Sequence, residues 1–169
     1  MMEFDVVDLA PTSHPEPGDE APDFTRPLVT PEYWEDRSLS ELTDDGRVIL
    51  VFTPMNRTFL ATHTWEELKE RGWDDREATV VGVSISTPYA HKRLIDEYDL
   101  PFPIFSDPAN EVAETYGVGH DLDGMTGISE PRLAVFVLES DRTISHAWVA
   151  DEWPEFPDYD EIEDALASA

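Results

Sequence analysis

The sequence predicts an α/β domain built on a mixed central sheet with helices on both faces. Three observations lead there. Val48-Ile49-Leu50-Val51-Phe52 and Thr79-Val80-Val81-Gly82-Val83-Ser84-Ile85 are short apolar runs of the kind that form strands covered on both sides. A stretch of helical periodicity separates them, and two more follow the second run. Two late apolar runs, 133–138 and 143–149, meet at a turn around Ser140-Asp141, the spacing of an antiparallel hairpin. Strands that alternate with helices and end in a hairpin make a sheet of mixed direction.

The chain is expected to divide into an acidic, proline-rich arm over 1–16 and one domain over 17–169. Pro11 and Pro15 interrupt the arm, and Phe4, Val6, Val7 and Leu9 can contribute an edge strand. Gly18 to Phe24 is a turn-rich opening, and 26–38 reads as an irregular connection. The first helix is expected over 58–71, with Trp65 and Leu68 on one face and Gly72 as its stop. Thr64 and Glu67 have capping-box spacing inside that helix and offer an alternative start. Thr87 caps the next helix with Pro88 in its first turn, where the missing N–H costs nothing. Leu94, Ile95 and Tyr98 form its inner stripe, and Pro101 and Pro103 lead to Ile104-Phe105. Asp107-Pro108 repeats the cap-plus-proline pattern ahead of Val112, Ala113 and Tyr116, with Gly117 closing that helix. Residues 118–130 form a glycine-rich loop, and a last helix starts near Asp158 with Tyr159, Ile162 and Leu166 at helical spacing.

Charge is the most extreme bulk property. Asp and Glu total 38 against 11 Lys and Arg, a formal net charge of -27. Nucleic acids and anionic membranes need cationic contacts, so neither is an expected partner. The apolar runs argue against disorder, which would need weak hydrophobicity alongside the charge. A folded protein adapted to molar salt fits better, because there the Debye length falls to about 3 Å and self-repulsion is screened. No apolar run approaches the roughly 20 residues of a membrane span, and no basic leader precedes an apolar stretch. The expected setting is a halophilic cytoplasm. The 169 residues contain no cysteine, which removes disulfides, thiolate metal sites and thiol chemistry from this chain.

Five segments, in order, resemble the peroxiredoxin family, the alkyl hydroperoxide reductase and thiol-specific antioxidant group of redoxin-domain oxidoreductases. Gly18-Asp19-Glu20-Ala21-Pro22-Asp23-Phe24 is similar to the family's opening. Pro54-Met55-Asn56-Arg57-Thr58-Phe59-Leu60-Ala61 matches the active-site pattern of proline, three residues, threonine, two residues, cysteine, except at its last position. Val83-Ser84-Ile85-Ser86-Thr87-Pro88-Tyr89, the run 100–108 and Pro131-Arg132 complete the series. The resemblance covers roughly 17–168 and implies a thioredoxin-like fold. It also implies that Pro54, Thr58 and Arg132 support a pocket whose nucleophile position is Ala61. In the family the helix start and the arginine stabilise a thiolate that attacks the peroxide O–O bond. A methyl group has no lone pair to do so, so the pocket is expected to be vestigial. Arg57 stands where the family carries an aromatic residue.

Other constellations carry less. Met55 can be oxidised but needs an external reductase, and a core or pocket-lining role suits it better. His120, Asp121 and Asp123 lie together without the spacing of a helical ligand pair, so an acidic loop is expected and no metal. His63 follows Ala61 on the same helix as a conceivable base, though packing is the commoner use. His146 alternates with Ile144 and Trp148 as a half-buried strand residue. Gly124-Met125-Thr126-Gly127 lacks the length and lysine of a phosphate loop, so no cofactor is expected. Trp65, Trp73, Trp148 and Trp153 read as core or interface residues. The leading expectation is a peroxiredoxin-like protein without cysteine-dependent peroxidase activity. It would keep a binding or association role: a homodimer, a heteromer with a cysteine-bearing relative, or a small oxidant or anion at the Thr58/Arg132 pocket. The alternative is an antioxidant oxidoreductase acting with such a partner or by another route.

Overall fold

A computed structural model describes residues 6–120 and 126–167. Phe4 of the expected edge strand lies outside that range, as do Asp121, Asp123, Gly124 and Met125. In chain order the elements are β1 (Val7–Asp8), β2 (Thr25–Val29), β3 (Trp34–Ser38), α1 (Leu39–Asp44), β4 (Arg47–Phe52) and α2 (Phe59–Glu70). Next come β5 (Ala78–Ser84), α3 (Pro88–Tyr98), β6 (Ile104–Ser106), α4 (Glu111–Thr115), β7 (Gly119–His120) and β8 (Glu130–Pro131). β9 (Ala134–Leu138), β10 (Ile144–Val149), β11 (Glu152–Trp153) and α5 (Tyr159–Ala167) complete the chain.

Seven strands form one mixed sheet in the order β10-β9-β4-β5-β6-β2-β3. β4, β5 and β6 run parallel, and both flanks are antiparallel. The middle of each central strand is apolar because both faces are covered: Val48 to Phe52 of β4, Val80 to Val83 of β5, and Ile104 and Phe105 of β6 are all buried. Along β4 the period of two sends Leu50 and Phe52 to one layer and Ile49 and Val51 to the other. The first layer packs Leu39 of α1 and Val112 and Ala113 of α4 against the sheet. The second packs Trp65 and Leu68 of α2, Leu94 and Ile95 of α3, and Ile162 of α5. Each Leu, Ile or Val among them contributes about 1.5–3 kcal/mol by leaving water. Gly82 of β5 is what lets α2 come so close: a Cβ there would stand 2.6 Å from Cζ2 of Trp65.

Three expectations are corrected. The stretch 26–38 is a β-hairpin, in which β2 pairs β3 from Thr25↔Ser38 to Val29↔Trp34. Only Leu28 and Val29 of β2 are buried, and β3 is the polar edge of the sheet, so alternation was too weak to read. Ser38 then opens α1, its N–H donating to Glu41 Oε1 at 3.1 Å, a short helix the sequence reading did not include. The fourth helix starts at Glu111, not at Pro108. Asp107 still serves its first turn, since its Oδ2 accepts from the Val112 N–H at 2.8 Å, but Asn110 in left-handed conformation (φ 59°) intervenes. Within the arm, Val7 and Asp8 pair with Trp153 and Glu152 in a separate two-stranded ladder. The alternative start at Thr64 is not used: Thr64 is buried mid-helix and its hydroxyl donates back to the Leu60 carbonyl at 2.7 Å.

Candidate functional site

β4 ends at Phe52, and residues 53–58 carry the chain across the carboxyl ends of β4 and β5 into α2. That loop is tied down from three directions. The Pro54 carbonyl accepts from the Ser84 hydroxyl at 3.1 Å, and Pro54 itself is buried. The Met55 N–H donates to Oε2 of buried Glu130 at 2.8 Å, and the Asn56 N–H donates to the Ser86 hydroxyl at 3.1 Å. The Asn56 amide also meets Nδ1 of fully buried His91 at 3.0 Å. Burial pushes the His91 imidazole down to about 4. Arg57 adopts a left-handed backbone (φ 71°), a conformation that costs an ordinary residue energy, and its guanidinium pairs with Glu97 of α3.

Thr58 is the N-cap of α2. Its Oγ1 accepts from the Ala61 N–H at 3.4 Å and donates to the Met55 carbonyl at 2.8 Å, which fixes the hydroxyl between loop and helix. Ala61 is the third residue of α2 and is 1% exposed. It lines a narrow cleft between α2 and α3, with Trp65, Leu94 and Leu100 for walls. Pro54, Thr58 and Ala61 are thus gathered at one loop and helix start.

Arg132 arrives from β8. It is 3% exposed, and its Nη1 donates to the Ala150 carbonyl at 3.1 Å. Loss of water lowers its pKa from the ordinary arginine value, and Asp151 opposes that shift. Two neighbours connect it to the loop and helix: Glu130 holds Met55, and Leu133 packs with Leu60 and Ala150. Its hydrogen bond goes to Ala150, however, and not to Thr58 or the start of α2.

Two histidines are placed as packing groups. The His63 ring lies 5.0 Å from Phe59 and 5.6 Å from Phe156, centroid to centroid. His146 is half-buried on β10 with Nε2 4.0 Å from Glu161. His120 sits in β7, while Asp121 and Asp123 lie outside the described residues. Trp65 and Trp73 are core residues; Trp148 and Trp153 pack at the margin around Leu60, Leu133 and Ala150. Sequence reasoning missed Glu130 and His91. Glu130 is one carboxylate among many and has no pattern to mark it. His91 did carry a signal, since it falls three and four residues before Leu94 and Ile95 on the inner stripe of α3.

Known proteins agree with this geometry. The family model described as AhpC/TSA family matches residues 17–147. The Coxiella burnetii protein named peroxiredoxin bcp is 31% identical over 144 residues, which is 79% of this chain and 87% of that protein. Among solved structures, the peroxidoxin BcpB of Mycobacterium tuberculosis superposes with a TM-score of 0.72 at 26% identity, covering 92% of this chain and 96% of that one. The reduced 2-Cys peroxiredoxin of Plasmodium vivax shares the fold, with a TM-score of 0.76 at 18% identity over 91% of this chain and 96% of its own. The chain therefore belongs to the AhpC/TSA family of peroxiredoxins, on a thioredoxin-like fold, with an alanine at position 61 and no cysteine anywhere in its sequence.

Proposed function

We propose that this chain is a peroxiredoxin-family protein without cysteine-dependent peroxidase activity, whose remaining role is binding or association. One observation carries the reading: at the start of α2, behind the Thr58 cap, stands the buried methyl group of Ala61. Peroxide reduction of the family's kind needs a two-electron donor there. A thiolate attacks one peroxide oxygen, the O–O bond breaks, the leaving oxygen takes a proton, and the sulfur becomes a sulfenic acid. Alanine offers no electron pair, and a threonine hydroxyl is a poor nucleophile toward oxygen.

Pro54, Thr58 and Arg132 are the supporting residues of this vestigial pocket. We further propose a homodimer, or a mixed dimer with a cysteine-bearing relative, and a halophilic cytoplasm as the setting. The salt reading rests on the -27 charge. No helix among the described residues is long and apolar enough to cross a membrane.

The test is consumption of hydrogen peroxide and of an organic hydroperoxide by the purified protein with dithiothreitol. The expected rate equals that of the buffer. Turnover above it that survives metal chelation would overturn the proposal.

A further inference from the structure

The chain carries 38 acidic residues among 169, yet one open groove on it has no carboxylate in its lining. This groove, about 650 Å³, runs beside the 53–58 loop and over the first turns of α3. Arg57, Arg93, Tyr89, Asn56, Ser86 and Thr87 supply its polar and aromatic surface. A second groove of about 450 Å³ shares Met55, Ser86, Thr87 and Ala90 with it and is likewise free of Asp and Glu. On a polyanion, such a place is where a negative group can approach with least repulsion.

The cations sharpen the point. Of the 11 Lys and Arg, eight are paired with carboxylates. Lys69 and Arg132 donate to the carbonyls of Tyr98 and Ala150. Arg93 alone among the described cations has no hydrogen bond or ion pair, and it is exposed in this groove. Its natural neighbour at i+4 on α3 is Glu97, but Glu97 is taken by Arg57 from the loop. In a chain with more than three acids per base, a guanidinium left unneutralised is the exception. Beside it, Tyr89 is 76% exposed, with its ring edge-on to Trp34 at 4.9 Å. A planar fork of donors next to an open aromatic ring suits an anion with a flat apolar body.

We infer that the groove between the 53–58 loop and α3 is a binding site for a small organic carboxylate. Arg93 takes its charged head, with Arg57 as the second cation, and Tyr89 lies against its apolar body. Its lining includes none of Pro54, Thr58, Ala61 and Arg132, the positions proposed for the vestigial pocket. It needs no chemistry at position 61, so it stands or falls independently of the peroxidase question.

The test is a backbone amide NMR titration of the full chain with phenylacetate and with its neutral analogue phenylacetamide. Wild type is expected to show saturable shifts confined to Asn56, Ser86, Thr87, Tyr89, Ala90 and Arg93. Phenylacetamide should bind at least tenfold more weakly, and Arg93→Ala should weaken phenylacetate by about tenfold, since a charge-assisted pair is lost. Arg93→Ala changes an exposed helical residue to a better helix former, so it should stay folded. Arg93→Lys, which keeps the charge but not the fork, should bind with intermediate affinity. Absence of saturable shifts, equal binding of acid and amide, or unchanged affinity in Arg93→Ala would each overturn the inference. So would concentration-dependent amide shifts at Asn56, Tyr89 and Arg93 without phenylacetate, marking this face as a contact between two copies, together with no phenylacetate bound.

Discussion

His91 predicts how the fold answers to acid. Its ring is fully buried, and Nδ1 faces the Asn56 amide at 3.0 Å. An imidazole that accepts there carries its proton on Nε2 and is neutral. Burial holds its pKa near 4, against 6.5 for a free histidine, although the carbonyls of Ser84 and Ser86 pull the other way. Above pH 6.5 both folded and unfolded chains carry a neutral imidazole, and the histidine adds no pH dependence. As pH falls below 6.5 the unfolded chain takes up the proton first, so the folded state loses ground until its own ring titrates near pH 4. The slope is at most about 1.4 kcal/mol per pH unit, and roughly 3 kcal/mol is lost across the window. His91→Gln keeps an acceptor for Asn56 and removes the titration. Urea unfolding of both proteins at several pH values between 7.5 and 4, in molar potassium chloride to screen the surface carboxylates, isolates the effect. The wild type should lose roughly 3 kcal/mol more than the variant over that interval. Parallel pH profiles would refute the assignment of a neutral, buried His91.

Three further outcomes follow from the structure. Melting temperature should rise from low salt toward molar sodium or potassium chloride, because the -27 charge repels itself when unscreened; a flat or falling profile would remove the halophilic reading. Gly82→Ala should destabilise by about 1–3 kcal/mol in denaturant unfolding, since the new Cβ meets the Trp65 ring at 2.6 Å, and a Trp65→Leu background should relieve part of that loss. Light scattering at micromolar concentration in high salt should give a dimer mass for the chain alone or mixed with a cysteine-bearing relative. A monomer in both cases would end the association proposal.

Much of this was legible in the residues. The central strands announced themselves because burial on both faces demands short apolar runs, and Val48 to Phe52 and Val80 to Val83 supply them. Thr87-Pro88 marked α3 because cap chemistry is local: Thr87 Oγ1 accepts from the Ala90 N–H, as the pattern requires. The edge hairpin was hidden for the opposite reason, since β3 fully buries none of its side chains and pairs along one side only. Asp107-Pro108 misled by one turn of chain, because its carboxylate reaches forward to Val112 across an intervening turn. At the site, Pro54, Thr58 and Ala61 were readable from one motif. The partners that hold the loop, Glu130 and Ser86, were not, because they come from 30 to 75 residues further along the chain. Nor did the sequence reveal the groove around Arg93, which depends on where carboxylates are absent in space.

In the proposed reading the supports around position 61 remain able to activate a thiol, and the nucleophile is what the chain lacks. Ala61→Cys tests it most directly. The position lies in the first turn of α2, where unpaired N–H groups favour a thiolate, and it opens on a cleft beside Arg57. Replacing one hydrogen by sulfur is a small enlargement of a buried methyl. The measurement is the rate of sulfenic acid formation with hydrogen peroxide, followed by mass spectrometry with a sulfenic-acid trap, in wild type, in the variant and in free cysteine. Wild type should give no product, and the variant should react at least tenfold faster than free cysteine at the same pH. An introduced thiol that reacts no faster than free cysteine would contradict this reading, and would remove Pro54, Thr58 and Arg132 as the supports of a peroxide pocket.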